Sequence, residues 1–220
     1  KTAFVSRSDM GKALLSYEEI PIACRMDEAV QSEYKRSENA LVRVLRSDRR
    51  VAQKILSAYL NLLTVYPDQP YDQKPILYPD SDVPIVEPEN IGDADTLGEK
   101  EQRTLEIVRA AIQNRERALI YTSWVRTDSQ QKLKKLLTDE GYRTEILTDK
   151  IKTTNREEWV QKKLAAGMQV LIVNPSLVET GLDLNAFTTL VFYSMGYKLF
   201  TLRQAPRRSW RINQKAPAVK

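Results

Sequence analysis

The residues best suited to chemistry lie near the C-terminal end of the sequence. Residues 195–220 contain seven Lys or Arg and no Asp or Glu. On a helix, which turns by about 100° per residue, Gln204, Arg208 and Arg211 fall on one narrow face. A guanidinium stays charged and donates paired hydrogen bonds, so two of them on one face can clamp a phosphoryl group during its transfer. From spacing alone, a solvated basic helix at a domain edge is an equally good interpretation.

Small polar residues and one glycine follow two predicted strands, 118–121 and 169–173. They are Thr122 and Ser123 after the first strand, and Asn174, Ser176, Gly181 and Asp183 after the second. Open α/β sheets bind ligands at the carboxyl ends of their strands, so these residues are candidates for a binding site. Each of them alone is more often a turn or a cap.

The composition excludes several kinds of active site. The 220 residues include no His and a single Cys, Cys24, so this chain cannot form a Cys/His zinc site, a disulfide framework, a Ser-His-Asp triad or a Cys-His dyad. The net charge of +5 permits a nucleic-acid partner without requiring one. No apolar run is long enough to cross a bilayer, and no targeting segment is seen, so we expect a cytoplasmic, nucleoid or nuclear location.

Phosphate-binding glycine loops are missing from the sequence. Gly11-Lys12-Ala13 lacks the hydroxyl, the preceding glycines and the leading strand of a P-loop, and no Gly-x-Gly-x-x-Gly occurs. The chain is therefore not expected to hydrolyse a nucleotide alone or to bind a dinucleotide in a Rossmann site.

Three regions differ in their patterns. Apolar residues at helical spacing predict two helices between residues 20 and 66, which form a helical lead-in over 1–66. Residues 67–95 contain six prolines and many acidic residues, which predicts a surface linker or insert that contributes no core. From residue 96 to 220, strands that are apolar throughout alternate with amphipathic helices, typical of a parallel sheet covered on both faces.

The predicted elements after residue 96 give an α/β fold. Strands are expected at 118–121, 144–147, 169–173 and 189–193, with an amphipathic helix before each of the first three. Thr96 and Thr154 each precede a Glu by three residues, the capping-box pattern that predicts a helix start. The last residues, 215–220, resemble the start of a further strand. With the missing initial Met, this suggests part of a longer polypeptide, truncated at the C-terminus.

Four segments, in order along the chain, resemble motifs of superfamily 2 helicases in the form used by Swi/Snf-type ATPases. Residues 119–123 resemble motif IV, 181–183 resemble motif V, and the helix that begins at Arg156 resembles the Arg-led helix between them. The fourth segment has Gln204, Arg208, Arg211 and Gln214 at the spacing of motif VI.

This resemblance implies a second RecA-like lobe, with helices on both faces of its sheet, preceded by a helical lead-in that joins two lobes. ATP and Mg²⁺ would be shared with a first, N-terminal RecA-like lobe of the same polypeptide, and the chain would hold no metal alone. Arg208 and Arg211 would be arginine fingers, while Gly181, Asp183 and Gln204 would belong to the ATP site. Nucleic acid, more specifically double-stranded DNA, would contact Thr122, Ser123, Asn174 and Ser176. The alternative function is a non-catalytic α/β module whose basic C-terminal segment docks nucleic acid or an acidic protein.

Overall fold

The computed structural model describes residues 16–123, 129–178, 182–196, 209 and 218–219. The chain divides into two compact units. The sheet unit comprises 1–23, 103–125 and 133–220, and the helical unit comprises 24–102 and 126–132. The predicted domain boundaries at 66/67 and 95/96 remain a prediction.

The sheet unit is built on four parallel strands. These are β4 (Ala118–Tyr121), β5 (Thr144–Leu147), β6 (Val170–Val173) and β7 (Thr189–Phe192), in the spatial order β5-β6-β4-β7. In this register Ala118 pairs with both Val170 and Thr189, so β4 is central. Each strand begins at the predicted residue or one residue later, and the predicted α/β fold is confirmed.

Helices cover both faces of this sheet because alternate side chains of each strand point to opposite sides. On one face, Leu119 and Leu171 lie in a core with Val160 of α5 (Arg156–Ala165). On the other face, Ile120 and Ile172 pack with residues of two helices. These residues are Val108 of α3 (Glu99–Gln113), and Leu133 and Leu137 of α4 (Ser129–Asp139).

The sheet unit also contains short elements. Strand β1 (Ser16–Tyr17) pairs in parallel with β8 (Ala218–Val219). Two 3-10 helices, Thr153–Asn155 and Pro175–Leu177, precede α5 and follow β6 respectively. Among the helices of the described residues, none has both the length and the apolar character needed to span a membrane.

The helical unit contains the two predicted helices, α1 (Glu28–Ser47) and α2 (Arg49–Val65). Their apolar faces share a core that includes Leu41 and Ile55. Asp48 ends the first helix and caps the second, because its carboxylate accepts hydrogen bonds from the backbone N–H groups of Arg50 and Val51, at 2.8 and 3.1 Å.

Residues 67–95 contribute to this core, so the expectation that they form only surface was wrong. They contain the antiparallel strands β2 (Ile76–Leu77) and β3 (Pro84–Val86), and both Ile76 and Val86 are buried in the core of α1 and α2. The composition does not predict this, because a few buried apolar side chains are enough to make a segment part of a core when hydrogen bonds hold its backbone in place. Tyr66 Oη donates to the Glu89 carbonyl at 2.8 Å, and burial raises the pKa of Tyr66 to about 12.

Glu33 fastens this segment to α1. Its buried carboxylate accepts hydrogen bonds from the Arg36 guanidinium, from the Ser37 hydroxyl at 2.9 Å and from the Glu89 backbone N–H at 3.2 Å. Burial alone would raise the pKa of Glu33, but these hydrogen bonds outweigh burial and lower it below the usual 4.5.

We expect Glu33→Gln to reduce the free energy of unfolding by about 1–3 kcal/mol at neutral pH, because the Arg36 guanidinium, the buried Ser37 hydroxyl and the Glu89 backbone N–H lose an ionised acceptor. A depressed pKa in the folded state adds stability above the unfolded pKa, and this stability is lost as the pH falls through the folded value. In urea titrations, the difference between wild type and variant should therefore shrink below about pH 4. Glu38→Gln is the control, because Glu38 lies in the middle of the same helix and forms no ion pair among the described residues. A difference independent of pH would contradict the role of the Glu33 charge.

Candidate functional site

The carboxyl ends of β4, β6 and β7 meet at one edge of the sheet, and hydrogen bonds join the residues that follow them. The Ser123 backbone N–H donates to Ser194 Oγ at 2.9 Å, and Ser123 Oγ donates to the Ser194 carbonyl at 3.0 Å. Asn174 Nδ2 donates to the Ser123 carbonyl, also at 3.0 Å. We call this set, Ser123, Asn174 and Ser194, the strand-end cluster; it fixes the three strand ends relative to one another.

The predicted nucleic-acid-binding residues differ in exposure at this edge. Thr122 is fully buried, Ser123 and Asn174 are half-buried, and Ser176 is exposed. Asn174 Oδ1 caps the 3-10 helix Pro175–Leu177 by accepting from the Ser176 backbone N–H at 2.9 Å and from its hydroxyl at 2.6 Å. Of these four side chains, that of Ser176 is the one solvent reaches most readily, and its hydroxyl can rotate toward an anion.

Asp183 lies half-buried in the loop that follows the 3-10 helix. Its two carboxylate oxygens accept from the Asn185 backbone N–H and from Asn185 Nδ2, each at 3.1 Å. An ionised carboxylate has about four lone-pair positions, so these two contacts leave room for further donors. The group can therefore accept a hydrogen bond from a hydroxyl of a ligand, as a residue of the predicted ATP site would.

The first two residues of α5 hold both ends of residues 177–183, which we call the 177–183 loop. Arg156 Nη1 donates to the Leu177 carbonyl at 2.9 Å, and Arg156 Nε donates to the Ile151 carbonyl at 3.2 Å. Glu157 Oε2 accepts from the Asp183 backbone N–H at 3.0 Å. One helix terminus thus determines where the loop begins and where it ends.

Four predicted site residues lie outside the described residues: Gly181, Gln204, Arg208 and Arg211. Two residues of the site, Ser194 and Glu157, were not predicted from the sequence. A signal for Ser194 was present, because it is a polar residue just after the last strand of the sheet. No local pattern indicates Glu157, whose contact reaches a backbone group 26 residues away.

Carboxylates in the described residues do not gather into an evident metal cage. Within that part of the chain, no group of three or more Asp, Glu or Cys is placed to hold a metal ion. A protein that uses Mg²⁺ with ATP commonly holds the ion through one or two carboxylates and the phosphates themselves.

Comparison with protein families gives a match over most of the sheet unit. The model of the helicase conserved C-terminal domain matches residues 99–213, just over half of the chain. The matched range includes the strand-end cluster and the 177–183 loop. No curated protein sequence matches the chain.

Solved structures share the fold at low sequence identity. The C-terminal part of the Fun30 ATPase domain has a TM-score of 0.66 and 12% identity, over 93% of this chain and 84% of that one. The Sulfolobus solfataricus SWI2/SNF2 ATPase core in complex with dsDNA has a TM-score of 0.66 and 17% identity, over 92% of this chain and 39% of that one. The C-terminal domain of the Sulfolobus solfataricus SWI2/SNF2 ATPase has a TM-score of 0.60 and 15% identity, over 81% of this chain and 72% of that one.

These likenesses concern the fold, and this chain spans about two fifths of the Sulfolobus core. The family match rests on the sequence itself and covers the strands and loops described above. The chain therefore belongs to the helicase conserved C-terminal domain family, with the RecA-like fold of a C-terminal helicase lobe.

Proposed function

We propose that this chain is the second motor lobe of a Swi/Snf-type ATPase that translocates on double-stranded DNA. The observation that carries the proposal is the common edge where the strand-end cluster meets the start of the 177–183 loop, in a chain of the helicase C-terminal family. Ligands of α/β sheets bind at this edge. The likeness in fold to SWI2/SNF2 ATPase domains supports the Swi/Snf type.

On the nucleotide side, Asp183 accepts a hydrogen bond from the ribose, and Gly181 lets the backbone approach it closely. Arg208 and Arg211 stabilise the charge that develops on the γ-phosphate, and Gln204 orients them or bridges to the first lobe. ATP supplies the phosphoryl group. In this proposal, the lysine and carboxylates that hold the phosphates and Mg²⁺ belong to the first lobe of the same polypeptide.

On the nucleic-acid side, Asn174 Nδ2 donates its second hydrogen to a phosphate of the backbone. The Ser123 and Ser176 hydroxyls donate to phosphates by exchanging their present acceptors, the Ser194 carbonyl and Asn174 Oδ1. Thr122 has a buried side chain, so its contribution is to hold the strand end in place. Contacts of this kind position a duplex without reading its sequence. The assignment of double-stranded DNA draws support from the Sulfolobus SWI2/SNF2 core, which was solved in complex with dsDNA.

The test is DNA-stimulated ATP hydrolysis by the full-length protein beside the 220-residue chain. The full-length protein should turn over ATP with DNA, whereas the 220-residue chain should not, because arginine fingers without a phosphate cradle cannot position the γ-phosphate. An inactive full-length protein, or hydrolysis by this chain alone, would contradict the proposal.

A non-catalytic binding module is the second candidate. The observation that favours it is the charge of residues 195–220, which carry seven cations and no carboxylate. Such a segment can dock on nucleic acid or on an acidic protein by charge alone. Substitution of Arg211 separates the two candidates, because a finger acts on turnover and a docking residue acts on affinity.

A further inference from the structure

The helical unit carries an exposed group of arginines where α1 passes into α2. Arg43, Arg46, Arg49 and Arg50, which we call the arginine corner, are all exposed. In the part of the chain that the structure describes, none of the four forms an ion pair with a carboxylate. The corner thus places four guanidiniums, with their hydrogen-bond donors, within eight residues of sequence.

The only carboxylate within this stretch of sequence is used for another purpose. Asp48 caps α2 and accepts from the backbone N–H groups of Arg50 and Val51. Residues 43–50 therefore have four positive charges against one negative charge, a net +3. Asp48 already accepts hydrogen bonds from backbone N–H groups at the start of α2. A ligand at this place would therefore bind the arginine side chains and not the helix terminus.

Two of these arginines stand where a helix disfavours positive charge. Arg49 and Arg50 occupy the first turn of α2, which contains no acidic residue. The N-terminal end of a helix carries a partial positive charge, so cations in its first turn reduce stability. A local rule broken without a compensating contact among the residues that the structure describes is typical of a functional position.

Other cations of the helical unit show that pairing is common in it. Four of them form ion pairs, and these are Arg36 with Glu33, Lys54 with Asp80, Lys100 with Asp68, and Lys132 with Glu101. The arginine corner differs because its four charges follow one another closely in the sequence and pair with no carboxylate of the described residues. Arg25, Lys35 and Lys74 are also exposed, but they are dispersed along the sequence.

We propose that the arginine corner is a second nucleic-acid contact, which binds the phosphate backbone of duplex DNA. A duplex presents a dense, regular row of negative charges, so several closely placed guanidiniums can each find a phosphate on it. Arg donates to phosphate in a paired geometry, and such contacts carry no sequence preference. This surface shares no residue with the strand-end cluster or with the residues assigned to the ATP site, and its test requires no ATP turnover.

The test uses the 220-residue chain with the triple change Arg46→Gln, Arg49→Gln and Arg50→Gln. Binding to a fluorescein-labelled duplex is followed by anisotropy over a series of salt concentrations. We expect affinity at low salt to fall by about tenfold or more. The slope of log K against log salt should lose about 2 to 3 in magnitude, since each phosphate contact contributes about 0.9. Two duplexes of unrelated sequence should be affected equally.

The matched control is Arg25→Gln, Lys35→Gln and Lys74→Gln, which removes the same charge from exposed positions of the helical unit outside the corner. The control should change affinity by less than about twofold, within the range of a general loss of charge. The thermal midpoint of the corner variant should stay close to that of wild type, because removing Arg49 and Arg50 relieves the positive end of α2 while removing Arg46 takes a favourable cation from the last turn of α1.

Several outcomes would overturn this proposal. They are an equal loss in both triple variants, no loss in the corner variant, and no DNA binding by the wild-type chain. A corner variant that loses binding to polyglutamate but keeps binding to DNA would instead assign the corner to an acidic protein. None of these outcomes bears on ATP turnover by the full-length protein, so failure here is distinguishable from failure of the proposed motor function.

Discussion

Arg211→Ala in the full-length protein is expected to lower DNA-stimulated ATP turnover by about 10³-fold or more, with DNA affinity changed by less than about twofold. An arginine finger acts where negative charge develops during phosphoryl transfer, so its loss raises the barrier without weakening duplex binding in the ground state. The measurement is a steady-state ATPase assay at saturating DNA, together with anisotropy on the same preparations. Arg208→Ala should give a loss of the same order.

Two further variants sharpen this result. Arg211→Lys keeps the charge but loses the paired donors, and we expect it to remain strongly impaired. Arg203→Ala removes a cation from the same basic segment without changing a motif residue, and it should leave turnover nearly intact. If Arg211→Ala and Arg203→Ala both weaken DNA binding in a salt-dependent way, with turnover following affinity, the segment is a docking surface and the binding-module alternative holds.

The central strands could be predicted closely because each is apolar at every position and buried on both faces. Leu119 and Ile120 point to opposite faces of β4, yet both are fully buried, as are Leu171 and Ile172 of β6. Covered parallel sheets leave this signature in a sequence, since neither face of the strand meets water.

The helix starts were less well predicted, because the capping residues make other hydrogen bonds. Thr96 Oγ1 donates to Asp93 Oδ1 at 3.0 Å, and α3 begins at Glu99, with Glu101 accepting from the Gly98 backbone N–H. Before α5, Thr154 lies in a 3-10 turn and donates to Asn155. Side chains of Asp, Thr and Asn compete for the same local donors, so a capping pattern locates a helix start only to within a few residues.

The candidate site was predictable in place but not in its contacts. Parallel strands bring their carboxyl ends to one edge, so the sequence could indicate where Ser123 and Asn174 meet. The bonds between Ser123 and Ser194 join residues 71 apart, and their existence depends on the path of the loops between strands. The role of Arg156 is likewise absent from any local pattern, because its acceptors are backbone carbonyls of two different loops.

Arg156 is expected to be a positioning residue, which holds the 177–183 loop for the proposed ATP site. Its guanidinium holds the Leu177 carbonyl, where the 177–183 loop begins, and Glu157 holds the Asp183 backbone N–H, where the loop ends. Without the Arg156 contact, the start of the loop is free to shift, and we expect the displacement to reach Gly181, while Asp183 is then held by Glu157 alone. In the proposed function these two residues belong to the ATP site, and a displacement of about 1 Å there can cost about 100-fold in rate.

We therefore expect Arg156→Gln in the full-length protein to reduce kcat for DNA-stimulated ATP hydrolysis by about 100-fold. Hydrogen exchange of peptides covering 177–183 should accelerate in the same variant, because an anchor of the loop is lost. This second readout does not depend on ATP turnover, so it tests the anchor even if the proposed motor function fails. Glu157→Ala should accelerate exchange at the Asp183 end of the loop.

Arg143→Gln is the matched control, since Arg143 Nη1 also donates to a backbone carbonyl, that of Ala166, at 3.2 Å. This bond lies at the opposite end of α5, so its loss should leave exchange of the 177–183 loop and kcat nearly unchanged. Equal losses in the Arg143 and Arg156 variants would show that α5 acts only through general stability. A lower kcat in Arg156→Gln without faster exchange of the loop would place the effect elsewhere, because positioning requires that the loop itself lose its restraint.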